Sequence, residues 1–146
     1  MTDPSRPLRV LCIDDNEMVA RALGRRIESE PLMKWVGVVH EGALAYDRVR
    51  EELPDVVLMD IDMPGTDPFL TVERLSKDIP SARVVMFSGH VNSAFIERAL
   101  DCGAWGYLSK NDDVARLLEG IRRVGDGEIV LSEEVRAVQR AGGRPG

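Results

Sequence analysis

Three acidic residues stand directly after apolar runs that are typical of strands. Asp14 and Asp15 follow LRVLCI, and Asp60 follows DVVLM. If these two strands are neighbours in a parallel sheet, their carboxyl ends bring the three carboxylates to one edge. Carboxylates packed together repel each other, so they need either protons or a cation. Because hard ions prefer oxygen ligands, the sequence predicts a Mg²⁺ site at this edge.

A hydroxyl and an ammonium group are expected beside these carboxylates. Ser88 follows the apolar run VVMF, and Lys110 follows WGYLS. Both residues stand at the ends of later strands, the edge at which open sheets bind ligands. A hydroxyl and an ammonium next to a carboxylate–metal cluster form a site for a tetrahedral anion, and a phosphoryl group fits it best.

The elements that must position these residues alternate between strand and helix. Short apolar runs predict strands, and apolar residues at helical spacing predict a helix after each of them. Asn16 opens the first helix, and Asp67-Pro68 pairs an N-cap with a proline at the first helical position. We therefore predict an α/β fold, a (βα)5 parallel sheet with helices on both faces. The five predicted strands are 8–13, 34–39, 55–59, 83–87 and 105–108.

The composition narrows the class of protein. The chain has 146 residues, a net charge of −6 and a hydrophobic fraction of 44%, as in globular domains. An acidic net charge argues against a dedicated nucleic-acid binder, because phosphate backbones attract basic surfaces. Cys12 and Cys102 fall in apolar stretches and are interpreted as small buried hydrophobes in a reducing compartment. Without a signal-peptide pattern or a membrane-length apolar run, we expect a cytoplasmic protein that makes no membrane contact.

Four motifs at strand ends carry the residues described above. They are the acidic pair in IDDNE, the loop VVLMDIDMPGTD, the SGH after the fourth strand and GAWGYLSK before the last long helix. Together they resemble the receiver domains of two-component response regulators, over residues from 8 to about 130. The resemblance implies a flavodoxin-like sheet with the strand order 2-1-3-4-5. We expect an N-terminal lead (1–7), the receiver domain (8–127) and a C-terminal extension (128–146) with a short helix and a flexible tail.

The resemblance assigns roles to the acidic residues. Asp60 would accept the phosphoryl group. Asp15 would bind Mg²⁺ directly, Asp14 would help through water, and the backbone carbonyl of Asp62 would be a further protein ligand.

Four other residues match positions with known roles in that family. Lys110 would neutralise charge on the phosphoryl group, and Ser88 would donate a hydrogen bond to it. Tyr107 occupies the aromatic position that turns inward on activation. His90 and Asp62 occupy the positions that tune the lifetime of the phosphoryl group.

The function implied is signalling rather than enzymatic turnover, with only self-catalysed phosphorylation and dephosphorylation. The donor would be a histidine kinase or a phosphotransfer protein, and the output would be partner binding or homodimerisation through the face of helix four, strand five and helix five. GEIVLSEEV after helix five resembles the tail of receivers of the NarL/FixJ class. In that class a helix-turn-helix domain follows, and we expect no such DNA reader within these residues. A stand-alone receiver and a piece of a longer regulator both remain open.

Two alternative functions fit part of the pattern. Asp60-Ile61-Asp62 resembles the nucleophile motif of haloacid-dehalogenase-like phosphatases, although the nucleophile of that family follows the first strand. A pseudo-receiver that binds a partner without being phosphorylated is the other alternative. Each residue also has an ordinary structural interpretation: Asp14 and Asp15 could simply favour the start of the first helix.

Overall fold

A parallel sheet of six strands, in the order β2-β1-β3-β4-β5-β6, forms the centre of the molecule. The computed structural model describes residues 6–142. The strands are β1 (Leu8–Ile13), β2 (Met33–Val39), β3 (Val56–Met59), β4 (Arg83–Ser88), β5 (Gly106–Ser109) and β6 (Val130–Leu131). The helices are α1 (Glu17–Glu28), α2 (Ala45–Glu52), α3 (Pro68–Asp78), α4 (Ser93–Asp101), α5 (Val114–Gly125) and α6 (Glu133–Gly142). The predicted order 2-1-3-4-5 is confirmed for the first five strands.

The core lies on both faces of the sheet. Because side chains alternate along a strand, Leu11 and Ile13 of β1 pack in the layer beneath α2, α3 and α4, whereas Val10 and Cys12 pack beneath α1 and α5. All residues of the central strand β3 are buried. A strand covered on both faces has the continuous apolar sequence seen here. The packed core therefore fixes the positions of the carboxyl ends of the strands and of the residues that follow them.

Helix starts follow the expected capping chemistry. At the start of α1, the side chain of Asn16 accepts a hydrogen bond from the N–H of Val19. At the start of α3, the side chain of Asp67, which precedes Pro68, accepts one from the N–H of Phe69. The predicted second helix, 41–52, is divided: a 3₁₀ turn over Gly42–Leu44 precedes α2, which has no side-chain cap.

The sixth strand is a correction to the prediction of five. β6 pairs with β5 in parallel, with Val130 opposite Gly106 and Leu131 opposite Tyr107. A Cβ added at Gly106 would lie 2.4 Å from the backbone oxygen of Val130, so a glycine is needed for this approach. β6 was not predicted because a strand of two residues is too short to show periodicity.

The predicted C-terminal helix is α6. The hydroxyl oxygen of Ser132 accepts a hydrogen bond from the N–H of Val135 at its start. α6 lies against α4 and β5. The expected flexible tail lies almost entirely outside the described residues, and the domain boundary at residue 127 stays a prediction. None of the helices described here is both long and apolar enough to cross a membrane.

Candidate functional site

Three carboxylates meet at the carboxyl edge of β1 and β3. Ile13 pairs with Met59 in the register of these strands, so the residues that follow, Asp14 and Asp60, lie side by side. One oxygen from each of Asp14, Asp15 and Asp60 can be chosen so that all lie within 4.8 Å of one another. Asp14 and Asp60 are buried and Asp15 is exposed. This set of oxygens, open on one side, fits a hard divalent cation that keeps some of its waters.

Lys110 reaches the same edge from the end of β5. Its Nζ lies 2.8 Å from Oδ2 of Asp14 and 3.6 Å from Oδ2 of Asp60. Burial alone would lower the pKa of the ammonium, but the hydrogen bond and charge of Asp14, together with the charge of Asp60, raise it. Lys110 therefore carries a full positive charge next to two buried carboxylates.

The acceptor candidate Asp60 has an unusual acidity. Burial first, and then the neighbouring charge of Asp14, raise the pKa of its carboxyl from 3.8 to about 6. The N–H of Asp62, which donates to Oδ1 at 3.2 Å, and the charge of Lys110 act in the opposite direction. At neutral pH the carboxylate is ionised, poorly solvated and close to a cation, which are the properties of an oxygen nucleophile.

A second group of side chains lies beside the carboxylates, at the end of β4. Ser88 is buried, and its hydroxyl donates to Oδ2 of Asp62 at 3.4 Å while accepting from the N–H of His90 at 3.0 Å. The Nδ1 of His90 lies 2.7 Å from the same Asp62 oxygen. His90 and Asp62 are both largely exposed, so this pair forms the solvent side of the site. Ser88 thus already donates to an anion.

Tyr107 faces inward. Its side chain is fully buried, and its hydroxyl donates to the backbone oxygen of His90. Burial, followed by the charge of Asp62, raises the pKa of the phenol, so it stays a hydrogen-bond donor at neutral pH. This hydrogen bond connects β5 with the loop that carries Ser88 and His90.

Hydrogen bonds and one ion pair hold the acidic loops in place. The N–H of Asn16 donates to Oδ1 of Asp14 at 2.8 Å, which fixes that carboxylate as α1 begins. Nδ1 of His40 lies 3.2 Å from the backbone oxygen of Asp14. Asp67, predicted only as a cap, also forms an ion pair of 2.8 Å with Arg98 of α4. The β3–α3 loop is therefore joined to α4.

A polar contact beside Lys110, between Ser109 and Glu134, was not predicted from the sequence. Ser109 is buried, and its hydroxyl donates to Oε1 of Glu134 at 2.9 Å. Nothing local indicates this contact, since the two residues are 25 positions apart. A serine at the end of an apolar strand was the available signal.

A sequence model of the response regulator receiver domain matches residues 10–122. The chain belongs to this receiver family. Receiver domains bind Mg²⁺ at a cluster of acidic residues, and this chain has such a group in Asp14, Asp15 and Asp60.

Relatives of the receiver domain include transcriptional regulators. The chain is 36% identical over 128 residues to the transcriptional activator protein ExaE of Pseudomonas putida, covering 85% of this chain and 58% of that protein. It is 32% identical over 135 residues to the nitrate/nitrite response regulator protein NarL of Escherichia coli strain K12, covering 92% of this chain and 62% of NarL. The chain thus spans about three fifths of the length of these relatives.

A solved structure has the same fold. The crystal structure of a two-component response regulator of the LuxR family from Aurantimonas sp. SI85-9A1 superposes with a TM-score of 0.84 at 30% identity, covering 90% of this chain and 94% of that one. The predicted family and fold are confirmed. Neither the phosphatase nor the pseudo-receiver alternative is favoured by these findings. The predicted roles of the individual site residues stay predictions.

Proposed function

We propose that this receiver domain accepts a phosphoryl group on Asp60 in a Mg²⁺-dependent reaction and passes the signal to a partner. The observation that carries the proposal is the placement of the buried Asp60 carboxylate, 3.6 Å from the Lys110 ammonium at an edge shared with Asp14 and Asp15. The donor would be a histidine kinase or a phosphotransfer protein, and this domain would act in the cytoplasm. No multiple-turnover enzyme activity is expected.

The chemistry is an in-line displacement at phosphorus. An oxygen of Asp60 forms the new P–O bond while the bond from phosphorus to the donor atom breaks, and the leaving group takes the electron pair. Lys110, already held beside both buried carboxylates, stabilises charge on the phosphoryl oxygens. Mg²⁺ held by Asp14, Asp15, Asp60 and the backbone carbonyl of Asp62 would supply further charge neutralisation.

Ser88 supplies the hydrogen bond by which the protein senses the new group. Its hydroxyl now donates to Asp62 at 3.4 Å, a long hydrogen bond that a phosphoryl oxygen can replace. Asp62 and His90 lie on the solvent side, so they control the access of the water that hydrolyses the acyl phosphate. We therefore assign the control of phosphoryl lifetime to the contact between these two side chains.

The output surface is the face formed by α4, β5 and α5. Tyr107 on β5 is buried and hydrogen-bonded to the backbone of His90, so a shift of Ser88 and its loop is transmitted directly to β5. Repacking of this face would govern partner binding or homodimerisation, a two-state change biased by one local charge. This chain itself is not expected to bind nucleic acid.

An intact-mass assay tests the proposal. Wild type, Asp60→Asn and Asp62→Asn are incubated with acetyl phosphate, with Mg²⁺ or with a chelator. We expect one added phosphoryl group in wild type and in Asp62→Asn, only with Mg²⁺, and none in Asp60→Asn. A phosphoryl group added to Asp60→Asn, or no addition to wild type together with no binding of beryllofluoride, contradicts the proposal.

A further inference from the structure

One carboxylate outside the phosphoryl site holds the residues on both sides of Lys110. Ser109 is only 1% exposed, and its hydroxyl donates to Oε1 of Glu134 at 2.9 Å. The oxygen of the same hydroxyl accepts from the N–H of Asn111 at 3.0 Å. The side-chain amide of Asn111 also lies 3.4 and 3.5 Å from the two oxygens of Glu134. The loop that carries Lys110 is therefore attached to α6.

The position of α6 is fixed by other contacts. Val135 is fully buried in the core layer that contains Tyr107. Glu133 forms an ion pair with Arg116 of α5, and the N–H of Ser132 donates to the backbone oxygen of Tyr107 at 3.1 Å. Since these contacts do not involve the β5–α5 loop, α6 supplies a fixed point to which Glu134 attaches that loop.

We propose that Glu134 is a positioning residue for the phosphoryl site, acting through Ser109 and Asn111 on Lys110. The backbone N–H of Lys110 donates to the backbone oxygen of Ser88 at 2.9 Å, and this hydrogen bond holds the Lys110 loop against β4. Glu134 holds it on the α6 side. The inference rests on the proposed phosphoryl transfer, because the effect is exerted through the ammonium that faces Asp60.

Lys110 depends on its backbone for precision. A lysine side chain has a flexible four-carbon stem and binds as a point charge, so holding its Cα in place narrows the range of positions that the ammonium samples. Stabilisation of a developing charge requires donors that are already in place, and small displacements lower the rate. The Mg²⁺ ligands belong to other loops, after β1 and β3, so loss of the Glu134 contact leaves their backbone in position. A Lys110 ammonium that moves away from Asp14 and Asp60 also competes less with a second cation for these carboxylates.

The experiment compares variants of two neighbouring residues on α6. Glu134→Ala removes the acceptor of the Ser109 hydrogen bond, and Glu134→Gln keeps one oxygen that can accept it. Glu133→Ala is the matched control, since it removes an α6 contact to Arg116 of α5 and keeps the contacts of Glu134 with Ser109 and Asn111 beside Lys110. The initial rate of phosphorylation by acetyl phosphate, the affinity for beryllofluoride with Mg²⁺, the affinity for Mg²⁺ alone and Tm are measured for each variant and for wild type.

We expect Glu134→Ala to lower the phosphorylation rate and the beryllofluoride affinity by roughly 3- to 10-fold, the value of one hydrogen bond. Glu134→Gln and Glu133→Ala should stay within about twofold of wild type in both quantities, and Mg²⁺ affinity should not fall in any variant. Wild-type rates in Glu134→Ala, equal losses in the Glu133 and Glu134 variants, or a parallel loss of Mg²⁺ affinity would each overturn the inference. If wild type itself is not phosphorylated, the proposed function fails first, and the inference fails with it.

Discussion

Replacing Asp60 by asparagine should stabilise the metal-free protein at neutral pH. The folded protein holds this carboxylate buried beside Asp14, which raises its pKa from 3.8 to about 6. An ionised carboxylate in that setting costs folding free energy, because the unfolded chain would hydrate it fully. Asparagine has nearly the same shape and keeps the oxygen that accepts the hydrogen bond from the N–H of Asp62.

The magnitude follows from the acidity of Asp60. A rise in pKa from 3.8 to about 6 corresponds to ~3 kcal/mol of lost stability for the ionised form. The amide must also be desolvated and gains less from Lys110, so we expect a net stabilisation of about 1–3 kcal/mol. The cost is complete above pH 6 and disappears as the pH falls towards 3.8, because the folded state takes up its proton before the unfolded state does.

Urea denaturation measures this effect in the presence of a chelator, at neutral pH and at about pH 4. Asp47→Asn is the control, since it makes the same change in net charge at a side chain that is 68% exposed. We expect Asp60→Asn to be more stable than wild type at neutral pH, and the difference to shrink in acid. A less stable Asp60→Asn at neutral pH would refute the reasoning, because the carboxylate would then stabilise the fold through its attraction to Lys110.

Three further substitutions test the site and its supports. Tyr107→Phe removes the hydrogen bond to the backbone oxygen of His90 and should lower the free energy of unfolding by about 1 kcal/mol in urea denaturation, whereas no change would show that the bond adds no stability. In Gly42→Ala the new Cβ would lie 1.9 Å from Oγ1 of Thr66, so Tm should fall and partly recover in the double variant with Thr66→Ala; an unchanged Tm would contradict the close packing. Lys110→Met removes the cation beside two buried carboxylates and should slow phosphorylation roughly 100-fold, and a rate near that of wild type would exclude the proposed role.

The five main strands could be predicted to within one residue at each end. Their apolar runs end at charged or polar residues, namely Asp14, His40, Asp60, Ser88 and Ser109. A strand buried on both faces also leaves a continuous apolar signal. The convergence of Asp14, Asp15 and Asp60 depends on β1 and β3 being neighbours. Periodicity does not determine strand order, and the order came from the resemblance to receiver domains.

Other features arise from contacts that local patterns do not encode. β6 has two residues, and its pairing depends on the absence of a side chain at Gly106. The contact of Asp62 with His90 joins residues 28 positions apart, and that of Ser109 with Glu134 joins residues 25 apart. Such pairs follow from the packing of whole elements, so the sequence offered only the residue types.

The central claim is that Asp60 is the phosphoryl acceptor, and locating the phosphoryl group tests it most directly. Wild type is treated with Mg²⁺ and acetyl phosphate, the acyl phosphate is reduced with borohydride to homoserine, and the peptides are sequenced by mass spectrometry. We expect homoserine at position 60 and aspartate at positions 14, 15 and 62. Homoserine at one of those three positions, or none anywhere in the chain, would contradict it.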